Sequence, residues 1–144
     1  EVDDPDLAAA LRSLLRRSSR EDVRLFAASV DSAVDAARVN RYLAEATGES
    51  VTAKDLRTWG ATAAAVECLC TGKGCDRDPV REMFAEVADR LGNTVAVCRT
   101  SYVAPTVIDA YESGELAALW RSSRRGRWMD RSERALARLL TTGR

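Results

Sequence analysis

The feature that most constrains the fold of this chain is a helical spacing of apolar residues that is interrupted by turn signals. Through most of the 144 residues, apolar side chains recur three or four positions apart, as one face of an amphipathic helix requires. Pro5 and Pro79 each follow an aspartate and mark helix starts, whereas Gly48 and Gly92 mark helix ends. The pattern predicts a mostly α-helical chain with little or no β structure.

The same signals locate the individual helices. We predict eight helices. The first starts at Pro5, the second covers 33–46, the third runs from Ala53 towards Cys70, and the fourth covers 79–91. A short fifth helix ends near Tyr102, the sixth and seventh cover 105–114 and 115–120, and the last runs from about Asp130 to Leu140. The apolar run 23–26 is predicted to be extended, and 29–32 to be a turn or a helix start. By size the chain is one domain, 1–144, with a core over 33–120, an Arg-rich linker over 121–129 and a C-terminal helix over 130–141.

Charge is balanced over the whole chain but not along it. The sequence has 22 basic and 22 acidic residues and no net charge, which by itself does not indicate a nucleic-acid-binding protein. Residues 121–144, however, contain eight arginines and only two acidic residues, Asp130 and Glu133. Such a local basic segment can contact phosphates while the whole protein stays neutral. A solvated helix face with an Arg/Ser linker explains it equally well.

Several functional classes are excluded or disfavoured by composition. The sequence contains no histidine, which excludes histidine acid–base chemistry and most zinc hydrolases. Its four cysteines, Cys68, Cys70, Cys75 and Cys98, do not have the paired spacing of structural zinc sites, so we expect reduced thiols and no metal. The sequence has no apolar run long enough to span a membrane.

Three residues form a plausible site for phosphoryl transfer. A free tyrosine has a pKa near 10, so only about one part in a thousand is ionised at neutral pH. A tyrosine such as Tyr102 therefore needs cations and donors aimed at the phosphate before it can attack it. Arg57 can bind two phosphate oxygens with its planar fork, and Asn93 can donate one further hydrogen bond. Lys54 lies three positions before Arg57, near the start of the same predicted helix, where free backbone amides also favour anions.

These residues lie in motifs that resemble a known family. Residues 54–60 (KDLRTWG) resemble the second-arginine motif of type IB DNA topoisomerases, in the poxvirus-like and bacterial branch. Residues 91–94 (LGNT) and Tyr102, nine positions after Asn93, resemble that family's histidine-or-asparagine and tyrosine motifs. Residues 39–43 (VNRYL) and 46–48 (ATG) are similar to the run that precedes the arginine. The resemblance covers roughly 35–111.

The resemblance implies an enzyme, a DNA topoisomerase that relaxes supercoiled double-stranded DNA. Tyr102 would attack a backbone phosphate, form a 3′-phosphotyrosyl link and release a 5′-hydroxyl strand, while Arg57 and Asn93 hold the non-bridging oxygens. Lys54, Arg99, Arg124 and Arg125 are the predicted contacts to DNA phosphates. Neither ATP nor another cofactor is implied, and the protein is expected to be a monomer in the bacterial cytoplasm, at the nucleoid.

Two features separate the sequence from the family pattern. Val95 replaces a common proline, and Ala104 stands where bacterial members often have histidine. The family also uses an earlier arginine and a lysine on a β-hairpin, and this chain has no counterpart of either. We therefore expect this chain to be a C-terminal part of the catalytic domain, with the N-terminal part of the same protein as its partner and little activity by itself.

Two other functions remain open from the sequence. A tyrosine recombinase or integrase shares the same helical site, although those enzymes usually have histidines at the positions of Lys54 and Asn93. The second alternative is a non-enzymatic helical module that binds DNA through its Arg-rich tail. It does not account for Arg57, Asn93 and Tyr102 at the spacing of the family.

Overall fold

The computed structural model describes residues 4–17, 27–29, 32–72 and 78–142. These residues form eight helices and two very short strands, which confirms the prediction of a mostly helical chain with little β structure. They divide into two compact units, Glu1–Ala53 and Lys54–Arg144.

The first unit contains two helices and a small hairpin. Helix α1 covers Pro5–Arg17 and α2 covers Ala36–Thr47. The Asp35 carboxylate accepts a hydrogen bond from the amide of Arg38 at the start of α2, and Gly48 ends this helix at φ 72°, a backbone conformation that glycine adopts without strain. No side chain of α2 is fully buried, and the large apolar residues Leu15 and Tyr42 are exposed.

The hairpin was predicted only in part. Strand β1 (Ala27–Ser29) pairs with β2 (Ser32–Ala33) in antiparallel register, with Ala27 opposite Ala33 and Ser29 opposite Ser32. A helix start over 29–32 was therefore wrong, because these serines and alanines carry no apolar period that distinguishes a helix from a short strand. The predicted extended run 23–26 lies outside the described residues.

The second unit is an assembly of helices. Helix α3 covers Ala53–Thr71 from the boundary of the two units, and it is followed by α4 (Pro79–Leu91), α5 (Val95–Ser101), α6 (Pro105–Glu112), α7 (Glu115–Ser122) and α8 (Arg131–Thr142). The predicted linker 121–129 is non-helical only from Ser123, since Arg121 and Ser122 end α7. Among the described helices, none is both long and apolar enough to cross a membrane.

Helix α3 supplies the centre of the core of the second unit. Seven of its residues are buried, and Val66 has no exposed surface. Phe84 of α4, Val107 of α6 and Leu136 of α8 are also almost completely buried in the same cluster. Each such side chain contributes roughly 1.5–3 kcal/mol by leaving water, so the packing around α3 fixes where the ends of the neighbouring helices lie.

The start of α8 is fixed by reciprocal hydrogen bonds. The Asp130 carboxylate accepts from the Ser132 hydroxyl at 2.7 Å and from the Glu133 amide at 2.8 Å, while Glu133 Oε2 accepts from the Asp130 amide at 2.9 Å. This is a capping box. Burial alone would raise the pKa of Asp130, but these hydrogen bonds and the charge of Arg125 outweigh it and lower the pKa. Glu133 Oε1 also accepts from the Trp59 indole at 3.2 Å, which joins α8 to α3.

Candidate functional site

Arg57 connects three helices of the second unit. It lies in the second turn of α3, and its Nη2 donates a hydrogen bond to the Leu91 carbonyl at the end of α4, at 2.5 Å. The guanidinium carbon lies 5.4 Å from the centre of the Tyr102 ring, a cation–π distance. Two of the predicted site residues, Arg57 and Tyr102, are therefore in contact although 45 positions separate them in the sequence.

Asn93 lies in a tight turn beside this contact. Gly92 ends α4 at φ 62°, and the Asn93 amide donates to the Ala88 carbonyl at 2.9 Å. Thr94 then caps α5, its hydroxyl accepting from the Val97 amide at 3.3 Å. Asn93 is thus two positions after Leu91, whose carbonyl accepts the hydrogen bond from Arg57.

The side chain of Asn93 has an unsatisfied donor. Its Nδ2 is buried and has no hydrogen-bond partner. An unpaired buried donor costs about 1–3 kcal/mol, and Glu82 Oε2 and Ser123 Oγ are the other buried side-chain atoms without a partner among the described residues. Nδ2 makes no hydrogen bond to Arg57 or Tyr102, and the three residues are related through the backbone turn rather than through a shared network.

Tyr102 occupies the C-terminal cap of α5. Its amide donates to the Cys98 carbonyl at 3.1 Å, with φ −127° and ψ −26°, and its side chain is half-buried. The short helix and the turn that follows it hold the ring between Arg57 and the edge of the hydrophobic core. Tyr102 was predicted to lie near the end of a short helix, and the structure confirms this position.

Thr62 is a site residue that sequence reasoning missed. Its side chain is buried at 3% exposure, and its hydroxyl lies 3.0 Å from the Tyr102 carbonyl and 2.8 Å from the Thr58 carbonyl, to which it can donate. The same oxygen accepts from the Ala104 amide at 3.3 Å. Thr62 therefore binds the chain on both sides of Val103 to the helix that carries Arg57. The feature of the sequence that could have indicated Thr62 is a single hydroxyl side chain within the run of small apolar residues 61–66.

The other predicted DNA contacts are spread over the second unit. Lys54 is exposed in the first turn of α3. Arg99 lies with its guanidinium 4.7 Å from the centre of the Phe84 ring. Arg124 donates to the carbonyls of Arg121 at 2.6 Å and Ser123 at 3.1 Å, and so closes the end of α7. Arg125 is exposed beside Asp130. No hydrogen bond or ring contact described for these four residues joins them to Arg57.

The cavities described in the second unit are not lined by Arg57, Asn93 or Tyr102. One of about 440 Å³ lies between α6 and α8, and one of about 180 Å³ lies between α3 and α8. A third, of about 370 Å³, is lined by Trp120, Arg125 and Asp130 among others. At the predicted site itself, Arg57 is exposed, whereas Asn93 and Tyr102 are half-buried.

The thiols lie apart from this chemistry. Burial raises the pKa of the Cys70 thiol to about 11, against the opposing charge of Arg131, so this sulfur is a weak nucleophile at neutral pH. Cys68 and Cys98 are buried. Among the described residues, no group of three or more histidine, cysteine or acidic side chains could hold a metal. Cys75 lies outside the described residues.

A family model described as the catalytic core of eukaryotic DNA topoisomerase I matches residues 2–110. The match covers well over half of the sequence, and the chain belongs to this family. A comparison with curated proteins finds no match.

The match includes the site and ends before the last helices. Arg57, Asn93 and Tyr102 lie within residues 2–110, whereas α7, the basic segment and α8 follow that range. The poxvirus-like and bacterial branch, which residues 54–60 suggest, is a finer assignment than this match and stays a prediction, as does the relation to the tyrosine recombinases.

Replacing Thr62 by valine tests its link to Tyr102. The two side chains have nearly the same shape, but valine cannot accept from the Ala104 amide or donate to the Tyr102 carbonyl. Since buried polar groups then lose a partner, we expect the variant to lose about 1–3 kcal/mol of stability. Amide hydrogen exchange followed by NMR should be faster at Ala104.

The matched control is Thr100→Val on α5. The Thr100 hydroxyl is exposed and donates to the Ala96 carbonyl of its own helix at 3.1 Å, so its loss should leave Ala104 exchange unchanged. If Ala104 exchanges equally fast in Thr62→Val and in the unmodified chain, Thr62 does not hold this turn.

Proposed function

We propose that this chain is the tyrosine-bearing part of a type IB DNA topoisomerase of the poxvirus-like and bacterial branch. In this proposal it relaxes supercoiled double-stranded DNA by cutting one strand and resealing it. The observation that carries the proposal is the position of the Arg57 guanidinium, which lies against the Tyr102 ring and on the Leu91 carbonyl two residues before Asn93. The family match supports the assignment to the topoisomerases, but not the branch.

The proposed reaction exchanges one ester bond for another. Oη of Tyr102 gives up its proton to solvent and attacks the phosphorus, a bond forms between them, and the bond from phosphorus to the 5′-oxygen breaks. The 5′-oxygen takes up a proton and leaves as a hydroxyl, while the phosphate stays on Tyr102 as a 3′-phosphotyrosyl diester. Because the bond energy is retained in this link, the reverse attack reseals the strand without ATP, and the proposed step needs no metal.

Arg57 and Asn93 would stabilise the charge that develops on the phosphate. A guanidinium has five N–H donors, and the hydrogen bond to Leu91 uses one of them. The unpaired Nδ2 of Asn93 has a hydrogen bond to give, which a non-bridging phosphate oxygen would accept. Donors that are positioned before the reaction lose little free energy in reorganising, and the Leu91 and Tyr102 contacts hold Arg57 in advance.

The remaining cations would bind DNA on either side of the cut. Lys54 and Arg99 are exposed in the same unit as the site, and Arg124 and Arg125 precede α8. We place this activity in a monomer that works with the N-terminal part of the same protein at the bacterial nucleoid.

The identity of the nucleophile is tested with Tyr102→Phe. The substitution removes only the attacking oxygen, so the fold and DNA binding should persist. Duplexes with sulfur in place of the bridging 5′-oxygen are mixed with each protein and stopped with detergent, and the covalent adduct is measured on a gel and mapped by peptide sequencing. We expect an adduct at Tyr102 in the unmodified chain and none in the variant. An adduct that persists in Tyr102→Phe, or no adduct with either protein, contradicts the proposal.

The role of Arg57 is tested by its effect on rate rather than on stability. Loss of one positioned donor costs roughly 10²–10³ in rate, so Arg57→Ala should slow adduct formation by that factor. Arg81→Ala is the control, since Arg81 is an exposed arginine on α4 of the same unit. Single-turnover rates of adduct formation at saturating DNA are compared for the two variants. A rate loss below threefold in Arg57→Ala would show that Arg57 acts only as a surface charge.

This chain by itself should cleave normal DNA very slowly, because the leaving 5′-oxygen needs a proton. A positioned general acid supplies roughly 10²–10⁴ in rate, and the sequence contains only two lysines, Lys54 and Lys73. Lys54 precedes Arg57 by less than one turn, on the phosphate side of the proposed site. Lys73 lies outside the described residues. Lys54 is therefore not placed to act as the acid at the leaving group.

Comparing the two substrates tests this explanation. A thiolate leaves without a proton, so the sulfur-containing duplex should react much faster than the normal duplex of the same sequence. Single-turnover rates of adduct formation are measured for both. Equal rates would show that proton delivery does not limit this chain.

A further inference from the structure

Trp128 has the most exposed large apolar side chain in the described part of the protein. Its exposed fraction is 82%, compared with 68% for Tyr42 and 61% for Leu15. It lies in the non-helical segment between α7 and α8, where the Gly126 amide donates to the Met129 carbonyl at 2.8 Å and closes a short loop. Exposing a whole indole to water costs free energy that burial would recover, so this side chain is a candidate for ligand contact.

The loop that displays Trp128 is held at its base. The Arg131 guanidinium lies 4.4 Å from the centre of the Trp120 ring and donates twice to the Trp120 carbonyl, at 3.0 and 2.9 Å. Arg138 donates to the Ser122 hydroxyl at 2.7 Å. Because the ends of the loop are fixed, a ligand that contacts its tip loses less free energy in ordering the chain.

One face of the Trp128 indole is already covered by a cation. The guanidinium of Arg127 lies 4.6 Å from the ring centre, and the high exposure of the residue leaves the ring accessible to a second planar group. Tryptophan is the best aromatic partner for cations, and aromatic rings of this kind also stack on nucleobases. The pair is therefore suited to hold a flat ring on one side and a phosphate on the other.

The surroundings of Trp128 favour an anionic ligand. Residues 121–138 contain seven arginines and two acidic residues, and the two acidic residues cap α8. The salt bridges found among the described residues join Arg90 to Glu67 and Glu86, and none of them neutralises this segment. A lone indole among cations lacks the apolar patch of a protein interface, whereas a nucleobase with its phosphate needs only a ring face and positive charge.

We propose that Trp128 stacks on an unpaired nucleobase of a DNA strand, whose phosphates are bound by Arg124, Arg125 and Arg127. The inference rests on the proposed function, which makes DNA the substrate, and adds to it a contact with a base rather than with the backbone. It concerns a segment beyond residues 2–110, where the family match ends.

Binding to two single strands of equal length and charge tests the proposal. One is an oligothymidylate and the other is an abasic strand, which has the same phosphates without bases, and both carry a fluorescent label for anisotropy. Stacking contributes about 1–3 kcal/mol per base, so Trp128→Ala should weaken oligothymidylate binding on the order of tenfold to a hundredfold and leave abasic binding unchanged. Trp128→Phe should retain most of the affinity.

Two control variants separate stacking from charge and from general surface effects. Arg125→Ala should weaken binding of both strands equally and lower the salt slope by about 0.7, the value for one phosphate contact on a single strand. Leu140→Ala removes another exposed apolar side chain, 44% exposed on α8, and should change neither. Circular dichroism confirms that each variant remains folded.

The outcomes decide separately between this proposal and the cleavage reaction. If Trp128→Ala affects both strands equally or neither, or weakens binding to phosphatidylserine vesicles instead of DNA, the stacking contact is refuted. An adduct at Tyr102 without any base-dependent effect of Trp128 refutes stacking alone. Base-dependent binding without an adduct supports stacking and refutes the cleavage proposal alone.

Discussion

The packing of α3 in the core of the second unit is the constraint on which the rest of the site depends. Seven buried residues hold this helix among its neighbours, and Arg57 lies about one turn before the first of them, Ala61. The guanidinium can reach both the end of α4 and the ring of Tyr102 only because the core fixes how these helices approach α3. A helix that could slide or rotate would lose both contacts, whatever residues it carried.

Two buried polar groups at the site differ in their hydrogen bonding: the Thr62 hydroxyl has partners, and Nδ2 of Asn93 has none. The Thr62 hydroxyl is inside the core but has partners on both sides, so its burial is compensated and the chain around Tyr102 is fixed. Nδ2 of Asn93 is buried without a hydrogen-bond partner, as are Glu82 Oε2 and Ser123 Oγ. In the proposed complex, a phosphate oxygen would be an acceptor for Nδ2.

Local signals in the sequence predicted the elements, but not the contacts between them. Gly92 and Thr94 follow turn and capping rules that act within a few residues, so the short element ending at Tyr102 could be located in advance. The hydrogen bond from Arg57 to the Leu91 carbonyl joins residues 34 positions apart, and no rule based on local sequence spacing predicts it. Thr62 was not predicted as a site residue because it lies within the small apolar residues 61–66. There the apolar pattern indicates only that this face of the helix is buried.

The basic segment and the site are parts of one packed unit. Trp59, two positions after Arg57, donates to Glu133 of the α8 cap, and Asp130 in the same cap ends the loop that displays Trp128. The loop proposed to bind DNA is thereby attached to the helix that carries the proposed transition-state contact. Because these connections are hydrogen bonds, one part-buried and one in the exposed cap of α8, a strand bound at the loop would lie at a defined position relative to Arg57. The net charge of zero is therefore no obstacle to DNA binding, since position and local charge decide it.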